Sequence, residues 1–67
     1  MRNNWIIRTK TTNNDCLYFA GWDSLGEISM RKNTPTYAYR MSKSVAINNL
    51  PKIEKYTRKE CEIIPVL

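Results

Sequence analysis

Hydrophobic and polar positions alternate along the first segment of this chain. Trp5-Ile6-Ile7-Arg8-Thr9-Lys10 is rich in β-branched and aromatic residues, with Trp5, Ile7 and Thr9 on one face and Arg8 and Lys10 on the other. That pattern predicts a half-buried strand. Thr11-Thr12-Asn13-Asn14-Asp15 is a turn cluster, because Asn and Asp side chains satisfy turn backbone groups. The next run, Cys16 to Trp22, is apolar on both faces and predicts a central strand, one face under a helix and the other covered by aromatic rings. Gly21 inside it predicts a bulge or a close backbone approach. Asp23-Ser24-Leu25-Gly26 is a second tight turn, and Glu27 to Arg31 alternates again as a third, shorter strand completing an antiparallel meander.

Asn33-Thr34-Pro35-Thr36 predicts a loop, since proline cannot donate to a sheet ladder and biases the residue before it toward extended backbone. Ser42 is the predicted N-cap of one helix, in which Ala46, Leu50 and Ile53 recur at helical spacing with Ile47 alongside. Leu50, at the centre of that stripe, is expected to be fully buried against the sheet. Pro51 removes the amide that would bond to Ile47, which predicts a break or kink near Leu50. A further turn over 53–58 would pair Glu54 with Arg58 before strand alternation resumes from Glu60, with Cys61 and Ile63 inward and Pro65 at the end. The expected fold class is α+β: a single domain over 1–67, with a small three- to four-stranded, mostly antiparallel sheet and one helix packed on one face, in the order β-β-β-α-β. The helix has nothing else in so short a chain to cover its apolar stripe. The order of strands in the sheet is left open.

Charge sharpens this picture. Eleven Lys and Arg stand against six Asp and Glu, a net charge of +5. Arg31, Lys32, Arg40, Lys43 and Lys52 fall between Ile28 and Ile53 with no acid among them, while Tyr37 and Tyr39 sit within the same stretch. A one-signed surface interleaved with aromatic rings points to an anionic partner: nucleic acid, an acidic protein surface or an anionic membrane. The membrane is the weakest of the three, because no apolar run approaches the ~18 residues of a spanning helix and Met1-Arg2-Asn3-Asn4 leads into a strand, not a signal peptide. The expected location is the host cytoplasm.

Candidate chemistry narrows the classes further. The chain contains no histidine, and its two cysteines, Cys16 and Cys61, lie within strand-like apolar segments as small buried hydrophobes. No cofactor or metal is expected, and no catalytic pair among the acids, because a general acid needs an enclosing pocket to shift its pKa. The expectation is a binding module, not an enzyme. The candidate binding residues are Arg31, Lys32, Tyr37, Tyr39, Arg40 and Lys43. Extended backbone would place Tyr37 and Tyr39 on one face, buried together or exposed together. Arg31 and Lys32 stand at a strand end, where edge charges also deter aggregation. Trp5 is expected in the core, whereas Trp22 stands at a strand end beside Asp23.

Tyr18-Phe19-Ala20-Gly21-Trp22-Asp23 leading to the turn at Gly26, and Ala38-Tyr39-Arg40-Met41-Ser42-Lys43-Ser44-Val45-Ala46 opening a short helix, carry a resemblance. In these stretches the chain resembles small accessory proteins of phages and mobile elements of low-GC Gram-positive bacteria. The resemblance runs from about Trp5 to Val66, through short structural motifs, and Pro51 departs from it. It implies a protein that binds and blocks a host protein or ribonucleoprotein complex, such as an RNA-guided defence nuclease, in the manner of an anti-CRISPR inhibitor. Direct binding of RNA or single-stranded DNA is the alternative, and a homodimeric interaction protein a further one, since a thin core with open strand edges gains by pairing.

Overall fold

A computed structural model describes residues 3–10 and 16–66 of the chain. It contains four strands, β1 (Trp5–Thr9), β2 (Leu17–Trp22), β3 (Ile28–Lys32) and β4 (Cys61–Pro65), and one helix, α1 (Lys43–Thr57). The strands form one antiparallel sheet in the order β3-β2-β1-β4. The fold is thus α+β, with the order of elements that the alternation implies. The Thr11–Asp15 turn lies outside the described residues.

The core is built where α1 meets the sheet. Ile7, Phe19, Met41, Ala46, Ile53 and Cys61 form one buried cluster, with Trp5, Ile28, Met30, Leu50 and Ile63 packed against it. Ser42 caps the helix, its hydroxyl accepting from the Val45 amide at 3.4 Å. Ala46 and Ile53 carry the buried stripe, while Leu50 is half-buried and Ile47 exposed, so the stripe is centred one step away from Leu50. α1 also runs unbroken through Pro51. Pro51 and Ile47 both lie on the exposed side, so the Ile47 carbonyl freed by the missing amide faces solvent and is not buried unpaired. Glu54 does not pair with Arg58; its carboxylate accepts from the Cys61 amide at 3.0 Å and fixes the start of β4. Arg58 ends the helix in left-handed backbone, φ 57°.

Two expectations for the sheet need correction. β1 is buried on both sides, with Ile6 and Ile7 both inaccessible, because it is an inner strand flanked by side chains of β2 and β4. The face away from α1 carries a cross-strand row of Arg31, Tyr18, Arg8 and Glu62. There the Arg8 guanidinium bonds Glu62 at 2.7 Å, and hydrogen bonds to Glu62 and Tyr18 hold it above its ordinary pKa. Of the aromatic rings expected on this face only Tyr18 lies in that row, whereas Trp22 and Tyr39 lie on the Phe19 face. α1 covers the β1 and β4 half of that face, leaving the β2 half to Tyr39 and Trp22.

Gly21 is responsible for Trp22 being there. Simple alternation turns Trp22 away from Phe19, but a bulge interrupts the β2–β3 register between them and returns Trp22 to the side of Ile28. Gly21 adopts φ 89°, and a Cβ on it would stand 3.2 Å from the Tyr39 ring. Gly21→Ala is therefore expected to cost about 1–3 kcal/mol and to lower the melting temperature by at least ~4 °C. Thermal denaturation followed by circular dichroism checks this, and an unchanged melting curve would contradict the bulge.

Candidate functional site: a basic and aromatic ridge

The candidate segment follows β3. Asn33, in left-handed backbone at φ 51°, donates its amide to the Cys16 carbonyl at 2.7 Å and accepts from the Cys16 amide through Oδ1 at 2.9 Å. Where a loop is expected, Pro35–Tyr37 forms a 3-10 turn, closed by the Tyr37 and Ala38 amides donating to Thr34 and Pro35. The turn rotates Tyr37 out of the parity it would share with Tyr39 in an extended chain.

Residues 39–41 then enter the sheet itself. Among the described residues β1 and β2 share a single paired position, Arg8 opposite Tyr18, so the two strands splay apart toward Trp5. The chain fills that gap. The Tyr39 amide donates to the Phe19 carbonyl at 2.8 Å, and Met41 exchanges backbone hydrogen bonds of 3.0 and 2.9 Å with Trp5. Backbone groups that a regular β1–β2 ladder would have satisfied are met by this insertion.

Three aromatic arrangements result. The Arg31 guanidinium lies over the Tyr37 ring, 4.9 Å from its centroid, and the Lys43 ammonium lies over Trp5 at 5.1 Å. Tyr39 meets Phe19 and Trp22 edge to face at 5.9 and 5.5 Å, and Phe19 meets Trp22 at 5.2 Å. Tyr37, Tyr39 and Trp22 nevertheless keep 59%, 43% and 46% of their surface exposed. The candidate residues are thus joined in separate groups and not in one continuous stack: Arg31, from the face away from α1, with Tyr37, and Tyr39 with Trp22 on the Phe19 face. Arg40 is exposed directly after Tyr39 in sequence, and Lys32 is exposed at the end of β3.

Electrostatics favour an anion here. Glu62 and Glu60 are engaged by Arg8 and Lys10, Glu54 by the Cys61 amide, and Asp23 by the amides of Leu25 and Glu27. Among the described residues Arg31, Arg40 and Lys43 have no salt-bridging carboxylate. Trp22, which stands against Tyr39, is not among the six candidate binding residues that the sequence singles out. The signal for Trp22 was the glycine before it, since a bulge reverses the face of every residue that follows.

The cysteines take no part in the ridge. Both are buried free thiols separated by β1, where Thr9 pairs with Cys61 and its carbonyl accepts from Cys16 Sγ at 3.3 Å. Two strand spacings, about 9–10 Å, exceed the reach of a disulfide. Burial pushes the Cys61 thiol above its ordinary pKa, opposed by its hydrogen bond with the Thr57 hydroxyl.

Among the described residues no helix is long and apolar enough to cross a membrane. No protein-family model matches the chain, and no similar curated protein or solved structure was found.

Proposed function

We propose that this chain is a non-enzymatic binding module that engages and blocks a host nucleic-acid-processing protein or ribonucleoprotein complex through the ridge of Arg31, Lys32, Tyr37, Tyr39, Arg40 and Lys43, with Trp22 beside it. The observation that carries the reading is the pairing of rings with cations that have no salt-bridging carboxylate among the described residues: Arg31 on Tyr37 and Lys43 on Trp5. Aromatic rings and guanidinium groups held rigidly in place are what protein-interface hot spots are made of, because they bring large contact area with little further ordering. The same pairing weighs toward a protein, since a cation over one face of Tyr37 and of Trp5 leaves fewer open ring faces for stacked bases. The resemblance to small phage accessory proteins supplies the class of target, an RNA-guided nuclease being the first to test.

Charge reversal at Arg31, Lys32, Arg40 and Lys43 together is expected to leave melting within a few degrees of wild type, because exposed charges contribute only about 0–1 kcal/mol each. It is expected to abolish inhibition of DNA cleavage when RNA-guided nucleases of low-GC Gram-positive hosts are assayed with each form of the chain. A parallel titration with poly(U) at about 50 and 200 mM salt separates the alternatives. Tight poly(U) binding with a steep salt slope, together with unaltered cleavage, would replace this reading with single-strand binding.

A further inference from the structure

The two edges of the sheet differ in their backbone chemistry. In an antiparallel ladder, alternate residues of an edge strand aim their N–H and C=O away from the neighbouring strand. On β4 the Lys10 amide bonds the Glu60 carbonyl and the Val66 amide bonds Asn4, so the outward residues are Cys61, Ile63 and Pro65. Cys61 has its amide taken by the Glu54 carboxylate, and Pro65 has no amide to offer. That edge is closed at both ends, a known protection against unwanted strand pairing.

On β3 the Asn33 amide bonds the Cys16 carbonyl and the Asp23 amide bonds Glu27, so the outward groups are those of Ile28, Met30 and Lys32. No hydrogen bond within the described chain meets the outward N–H or C=O of Ile28 and Met30. No proline interrupts β3. Its exposed positions are basic: Arg31 and Lys32 are both accessible, and Arg31 rests on Tyr37. A second copy of this chain is a poor occupant, because it would bring another +5 charge against the same edge.

We propose that β3 is a strand-addition edge, at which an extended acidic segment of a partner protein pairs with the backbone of Ile28 and Met30 and sets a carboxylate opposite Arg31. Main-chain hydrogen bonds supply affinity in this mode and the alternating side chains supply selectivity, with apolar residues beside Ile28 and Met30 and acids beside Arg31. The proposal rests on a protein being the target of the ridge, and it specifies how that protein is held.

The full chain is short enough for chemical synthesis with an N-methyl group on the Met30 amide, which keeps the Met30 side chain and blocks only the outward donor. The probe is an acetylated heptapeptide alternating Glu and Val, with its scrambled all-Lys-for-Glu analogue as control. In the unmodified chain the Glu peptide is expected to slow hydrogen exchange at the Ile28 and Met30 amides at least about tenfold and to leave helix amides unchanged. N-methylation is expected to weaken its binding at least about tenfold, and the Lys peptide to bind neither form. Equal binding by the N-methylated chain, with loss in the Arg40→Glu/Lys43→Glu variant, overturns the edge and leaves the ridge reading intact. A Glu peptide that binds no form also overturns the edge, and the nuclease assay then judges the ridge alone.

Discussion

Phe19→Ala is expected to leave the chain unfolded at 25 °C. Phe19 has no accessible surface and touches both halves of the covering layer, the helix-bound core cluster and the Trp22–Tyr39 pair. Truncating a buried phenylalanine costs about 3–5 kcal/mol through lost transfer energy and the cavity left behind. A single core in a chain of 67 residues supplies only about 3–5 kcal/mol in total. The two quantities are of the same size, so the loss consumes the whole margin. Near-ultraviolet circular dichroism and amide dispersion by NMR report the outcome, and a folded mutant melting within a few degrees of wild type would show that the Phe19 layer is not the core.

Ile53→Ala ranks second. Ile53 is 1% exposed on the sheet-facing side of α1, where α1 crosses β1 and β4, and its truncation is expected to cost about 2–5 kcal/mol. Leu50 is only half-buried, so Leu50→Ala removes less buried surface and leaves a site that solvent can enter, at about 1–2 kcal/mol. The order of the two mutants is the test. Chemical denaturation midpoints in which Leu50→Ala is the more damaging would mean that the helix is rotated about its axis relative to the register described above.

Much of this architecture was legible in the residues. Alternation located β1, β3 and β4, the Asp23–Gly26 turn joined β2 to β3, and Ser42 marked the start of the helix, because each is a local signal read within a few residues. What failed was what depends on the third dimension. The cost of Pro51 is set by which face it occupies, and on the exposed face the orphaned carbonyl has water. The half-buried state of Leu50 reflects the sheet strands that α1 happens to cross. Tyr37 and Tyr39 parted because a 3-10 turn replaced extended backbone, and Trp22 joined Tyr39 because a bulge changed its face. Of the ridge, residue types and charge were visible in the sequence, whereas the pairing of each cation with its ring was not. The contrast between the β3 and β4 edges could not be read at all until the strand order was known.

The insertion of residues 39–41 between β1 and β2 has a kinetic consequence. These strands cannot complete their backbone hydrogen bonds as a local hairpin; they must wait for a segment some twenty residues beyond β2. The closing event of folding is therefore non-local, and it slows a domain otherwise assembled from near neighbours. Once closed, the segment that presents Tyr39 and Arg40 can be released only by opening the middle of the sheet, so its motions are tied to global unfolding and not to the fast fluctuations of a surface loop. A partner bound there, as proposed above, would meet the segment already ordered, without the entropic penalty that a flexible binding loop would impose.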